Sequence, residues 1–216
     1  MNFVGFFISN MSKRFFIALL FLMPLAHAQK VVEKTVVHPG IFFIGINADN
    51  CFAISLETND TNELTVEAKI EGEYTNDLIV SVKEEGSAIL ISAGFQPGFE
   101  DPNDKLSAHK VVSIALRILM PRYKRVALYG TNCNVSATGD YENLNIKLGD
   151  GSCHLHNVSE TVEVVTLNGD ISVIGTEAHI VAKSKYGNVQ ENPIVFGNNN
   201  YTLTTTNGNI SLRNTE

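Results

Sequence analysis

The residues best equipped for chemistry lie in Cys153-His154-Leu155-His156. In a strand, side chains alternate between faces, so His154 and His156 share one face, as a zinc-binding pair would need. Cys153 points the other way and cannot join them. A third ligand would have to come from a neighbouring strand, where the spacing predicts Asp170 beside His154. The favoured reading is a polar ladder on a strand surface, with no metal assigned and His154 and His156 kept as secondary candidates.

A second cluster sits in GFQPGFEDPNDKLSAHK (94–110), the longest stretch without a strand pattern. Phe95, Phe99, Glu100 and Asp101 are candidates for a binding loop, and Asp101 and Asp104 for a calcium site, because loops of this length are often functional. The acidic spacing does not follow an EF-hand loop. The competing reading is a connector whose phenylalanines pack back onto the fold. The remaining histidines, His38, His109 and His179, match no nucleophilic motif, and GxSxG, HExxH and phosphate-cradling glycine loops are absent. No catalytic residue and no cofactor is assigned. An enzyme would need a carboxylate cluster assembled only in space.

The elements that must position these residues read as strands. Leu64, Val66, Ala68 and Ile70 alternate with Thr65, Glu67 and Lys69, the period-two pattern of a half-buried strand. LIVSVKEEGSAILIS (78–92) is a hairpin about Glu84-Glu85-Gly86-Ser87, and VSIALRILM (112–120) alternates until Pro121 stops it. No segment after the N-terminus has convincing helical periodicity. The fold class is all-β.

The C-terminal third repeats itself. LNIKLGDGSCHLHN (144–157), VEVVTLNGDISVIG (162–175), IVAKSKYGNVQEN (180–192) and YTLTTTNGNISLRN (201–214) align on Gly151, Gly169, Gly187 and Gly208, spaced by 18, 18 and 21 residues. Strand-forming repeats of this period predict a short parallel β-solenoid (β-helix), with coils stacked about 4.8 Å apart. One inward column is expected from Leu144, Val162, Ile180 and Tyr201, a second from Ile146, Val164, Ala182 and Leu203, and a third from Cys153, Ile171, Val189 and Ile210. Glu191 breaks a fourth, made by Leu155, Val173 and Leu212. With the insert VFGNNN (195–200), that break predicts one bulged coil. Asp150, Asn168 and Asn207 precede key glycines and are types that tolerate left-handed backbone, or could hydrogen-bond from coil to coil.

An earlier coil is expected at 125–139, with Cys133 in the column of Cys153. Two readings stay open there: buried apolar fillers, or a Cys133–Cys153 disulfide in an oxidising compartment. The last repeat ends close to Glu216, so its strand edge is expected to be open and prone to pair, giving an end-to-end homodimer.

Residues 13–28, KRFFIALLFLMPLAHA, carry two cations, a short apolar run and an Ala26-His27-Ala28 site, which predicts a signal peptide cut after Ala28, with Met1 or Met11 as the start. No later stretch is long and apolar enough for a transmembrane helix. The net charge of −7 becomes more negative once Lys13 and Arg14 leave, which argues against nucleic acid and anionic lipid. The expected organisation is a signal peptide (1–28), an N-terminal antiparallel β region (29–122) and solenoid repeats (123–216), the last two forming one continuous domain.

The run IALRILMP (114–121), a following strand, and repeats of the form hydrophobic-x-hydrophobic-x-x-Asn-Gly-x-Ile-x-Val resemble the putative adhesin families of bacterial surface β-solenoids over roughly residues 40–214. The resemblance implies an exported, non-enzymatic protein that binds at the cell surface, and it supplies no catalytic residues. The functional expectation is an adhesin-like module presenting a polar face to glycan or protein, in the periplasm, at the cell surface or secreted. The alternative is a structural or signalling component of the envelope that binds another envelope protein.

Overall fold

The computed structural model describes residues 30–37, 40–72, 74–99, 112–191 and 194–215. The expected signal peptide, Glu100, Asp101, Asp104, His38 and His109 lie outside the described residues. Among those described, every regular element is a strand. In chain order these are β1 (Lys30–Val37), β2 (Phe43–Asn47), β3 (Ala53–Asn59), β4 (Glu63–Gly72), β5 (Leu78–Glu85), β6 (Ala88–Phe95), β7 (Val112–Pro121) and β8 (Arg125–Gly130). They continue with β9 (Asn134–Leu148), β10 (Cys153–Thr166), β11 (Ile171–Gly175), β12 (Glu177–Ser184), β13 (Val189–Glu191), β14 (Val195–Thr205) and β15 (Ile210–Asn214).

All belong to one mixed sheet with two branches that share β9 and β10. One branch runs β1-β4-β7-β3-β9-β10-β11-β15-β13, and the other joins β5, β6, β2, β8, β9, β10, β14 and β12. The first part of β9 pairs with β3 and its last part with β8. Likewise the first part of β10 pairs with β11 and its last part with β14. Between these parts both strands turn a corner. Gly139 takes a φ of 107° in β9, and Asn157 and Glu160 take positive φ beside register shifts in β10. Inward side chains from both branches therefore meet in one hydrophobic core.

Parallel register builds that core in rows. Leu116, Ile54, Val135, Cys153, Ile171, Ile210 and Val189 stand opposite one another across seven strands of the first branch. Ile44, Val126, Leu144, Val162, Tyr201 and Ile180 do the same in the second. Burying each Val, Ile or Leu of such a row contributes about 1.5–3 kcal/mol. The strands expected at 64–70 and 112–120 are β4 and β7. The expected hairpin is β5–β6, turning at Gly86-Ser87.

Four expectations change. The N-terminal region is mixed: β1–β4, β4–β7 and β5–β6 are antiparallel, but β2 and β3 lie parallel to β8 and β9, so residues 43–59 already form a layer of the stack. The layers do not follow chain order. β14 sits between β10 and β12, and β15 between β11 and β13, which inserts 201–214 between 162–175 and 180–191. The open edge is thus β12 and β13 rather than the last repeat. Finally, Cys153 faces Val135, which leaves Cys133 two residues out of that row, and both thiols are free and buried. The insert at 195–200 is the expected bulge: Glu177 pairs with Val195, and His179 already with Asn200.

The recurrence of Asn-Gly has a packing cause rather than the left-handed one expected. None of Gly151, Gly169, Gly187 and Gly208, nor the residue before any of them, has positive φ. A Cβ on Gly169 would lie 1.8 Å from the Gly151 carbonyl oxygen, and one on Gly208 would lie 2.1 Å from that of Gly169. The glycines stack backbone on backbone, a contact that admits no side chain. Beside them, Asn168 donates to Asp150, and Asn207 donates to the Asn168 Oδ1 at 2.5 Å, the coil-to-coil ladder expected from the sequence.

Candidate functional site

The outer face of the first branch is laid out by the same registers. One row across the strands reads Glu67, Arg117, Ser55, Ser136, His154, Ser172, Ser211 and Gln190. The adjacent row begins Lys69, Ala115, Ala53 and Asn134. Alanine and serine occupy the middle of both rows, and longer side chains flank them. The result is a shallow trough of about 310 Å³ with Ala53, Ala115, Ser55 and Ser136 on its floor. Glu67 and Lys69 wall it on the β4 side, and Asn134 and His154 on the β9–β10 side. This volume lies at the small end of the range for ligand pockets, roughly 300–1,000 Å³.

The polar groups around the trough are fixed by one another. Arg117 donates from Nε and Nη2 to the two Glu57 oxygens at 2.9 and 2.7 Å, a bidentate pair across β7 and β3. The hydrogen bond from Arg117 holds the Glu57 carboxyl below the usual carboxylate range, so Glu57 stays ionised and is not a proton donor near neutral pH. Ser55 Oγ donates to Glu57 Oε1 at 3.2 Å. On the opposite wall, Asn134 Oδ1 accepts from both the Ser152 backbone N–H at 3.1 Å and the Ser152 hydroxyl at 2.7 Å.

Ser152 Oγ also lies 3.2 Å from His154 Nε2, the contact a nucleophile and its base would make. The 2.7 Å contact directs the hydroxyl proton to Asn134 Oδ1, and with it there the His154 ring N–H is the group that can donate to Ser152 Oγ. The pair orients the imidazole beside the trough. Asn134, its oxygen saturated by Ser152, is left with its amide N–H groups for another partner.

The residues singled out from sequence are scattered. His154 and His156 are both exposed on the outer face of β10, and Cys153 is buried, as the alternation required. His154 stands beside Ser172 rather than Asp170, because the register pairs residues 18 apart along the strands and not across the turn. Asp170 instead accepts from the Asn209 backbone N–H at 2.6 Å. The neighbours of His156 are Thr138 and Ile174. Among the described residues no three His, Cys, Asp or Glu side chains are grouped to hold a metal ion. Phe95 and Phe99 stack with ring centroids 4.2 Å apart, and Tyr74 meets both edge-on, so these rings cover one another and none of them lines the trough.

Sequence reasoning found His154 but missed the floor. The available signal was alanine and serine at outward positions of FAISLE (52–57) and SIALRIL (113–119), two strands whose pairing the sequence does not reveal.

No family model and no curated protein matches the sequence. Among solved structures, the fold is similar to that of a putative cell adhesion protein from Clostridium sporogenes, with a TM-score of 0.63 and 15% identity over 87% of this chain and 100% of that one. A putative adhesin from Parabacteroides distasonis matches at 12% identity over 86% of this chain and 98% of that one, with a TM-score of 0.33. The first likeness establishes a shared all-β fold across nearly the whole described chain.

Proposed function

We propose that the chain is an exported, adhesin-like module whose stacked layers are a β-solenoid, and that it holds a glycan against the outer-face trough without chemistry. The observation that carries this reading is the trough itself: a mainly apolar surface over alanine and serine, with a few polar side chains around it. Small residues let a ring approach the sheet, and Lys69, Arg117 and Asn134 offer N–H groups to hydroxyl or carboxyl oxygens. The engagement of Glu57 by Arg117 and of Ser152 by Asn134 agrees with a binding role. The likeness in fold to a protein named as a putative cell adhesion protein agrees with this reading, as do the signal-like residues 13–28, which would place the module outside the cytoplasm. The unit would be continuous from Lys30 onward.

The test is glycan-array binding by the purified chain beside its Ala115→Trp variant. Indole in place of a methyl at the floor fills the trough without touching the core, so binding to a related set of glycans is expected to fall about tenfold or more. Equal binding by both chains removes the trough from the reading. If both are silent, the same pair is compared for cross-linking to envelope proteins, the other partner class the face suits.

A further inference from the structure

We infer that the β12 edge is a homodimer interface, formed when two copies pair β12 antiparallel about a two-fold axis through Ile180.

Three features meet at this end of the stack. Among the described residues β12 pairs only with β14 and β13 only with β15, so both strands have a side with no strand partner there. The core rows end here unfinished. Ile180, Ala182 and Val189 are only partly buried, whereas their counterparts Val162, Val164 and Ile171 are fully enclosed. Large apolar side chains also crowd the surface beside the edge: Val181 is 54% exposed and Phe196 78%, with Phe196 held edge-on to His179 at 5.5 Å. A strand edge with apolar surroundings and, among the described residues, no covering element tends to find another strand.

The sequence of β12, Glu-Ala-His-Ile-Val-Ala-Lys from 177 to 183, identifies that strand as a second copy of itself. Antiparallel pairing must keep inward residues opposite inward residues, because a shift by one turns every side chain to the wrong face. Centring on Ile180 meets this condition. Ile180 then faces Ile180 of the other copy, and Ala178 faces Ala182, all on the core side. On the outer side Glu177 faces Lys183, His179 faces Val181, and each pair occurs twice by symmetry. Opposite charges directly across an antiparallel pair are favourable and like charges are not. The strand is therefore complementary to its own reverse in charge and in burial.

The mass of the purified chain is measured by sedimentation equilibrium across a concentration series for four proteins: the parent, Glu177→Lys, Lys183→Glu and the double variant. All substituted positions are exposed, so folding is expected to be retained, and circular dichroism checks it. The parent is expected to dimerise. Each single reversal places two like-charged pairs at the interface and should weaken the dimer about tenfold, and the double variant should restore parental association. A monomeric parent at every concentration overturns the inference. So does a dimer that both single reversals leave unchanged, or one that the double variant fails to rescue. These outcomes are read without any ligand and do not depend on glycan binding.

Discussion

The four stacked glycines place their backbones too close for any side chain, and that contact sets the register of the layers. A Cβ on Gly169 meets a carbonyl oxygen at 1.8 Å, and a rigid backbone cannot move aside without separating two layers. Gly169→Ala is therefore expected to lower stability by about 3 kcal/mol or more, or to prevent folding. Gly175, in the same repeat, would have nothing within 4 Å of an added Cβ. Gly175→Ala is expected to lie within about 1 kcal/mol of the parent, gaining from a less flexible unfolded chain. Urea unfolding of the two variants measures the contrast, and similar losses in both would contradict the packing argument. The asparagines beside the glycines add side-chain hydrogen bonds between layers. The Asn-Gly pair thus combines closest approach with the shortest amide that can reach the next layer.

At the scale of elements, β9 and β10 carry the architecture, because each turns a corner and serves both branches. Buried phenols secure the corners: Tyr141 donates to the Thr138 carbonyl at 3.1 Å, and Tyr201 donates to the Val158 carbonyl in the turn of β10. Burial pushes the Tyr201 phenol up to about 12 from 10.0, and Tyr141 further in the same direction. Burial likewise pushes Cys51, Cys133 and Cys153 up to about 12 from 9.0. In each case the folded state retains a proton that the unfolded chain releases, so stability falls wherever only the unfolded chain is ionised. Stability is expected to be unaffected by these groups below pH 9.0 and to decline progressively from there toward about 12. The urea midpoint against pH measures this, and a flat midpoint from neutral pH to about 11 would contradict the burial of these groups.

For the molecule as a whole, the order of layers predicts an unusual response to truncation. Residues 201–214 form an internal layer, so a chain ending at 194 would lose the layer on which β12 and β13 rest. A chain ending at 175 loses that layer and the terminal one together, leaving β10 and β11 as a continuous new edge. The shorter chain is expected to keep a protease-resistant core that reaches its C-terminus. The longer one is expected to be trimmed back to about residue 175, because an unpaired layer cannot bury its apolar side. Limited proteolysis with mass analysis distinguishes them. Equal protection of residues 177–191 in the longer chain would show that chain order, not the observed insertion, sets the stacking.

Alternation of apolar and polar residues dictated the strands, and recurrence of glycine in strand-forming repeats dictated a stack of parallel layers. Both follow from local periodicity and are visible in one chain. The membership of the core rows was equally legible, since Leu144, Val162, Ile180 and Tyr201 do share a row. Their order was not, because every repeat offers the same apolar pattern and any two can pair equally well by that criterion. The bulge at 195–200 accompanies the return of the chain between two earlier layers. The layer at 43–59 was hidden for a related reason: its corner, residues 48–52, has no glycine to mark it as a repeat. The trough was invisible because its floor joins Ala53 to Ala115 and its walls join Lys69 to His154, and only the tertiary pairing of β4, β7, β3, β9 and β10 brings those residues to one surface. Sequence periodicity determined what each strand buries; long-range register decided which strands are neighbours, and so where a ligand could lie.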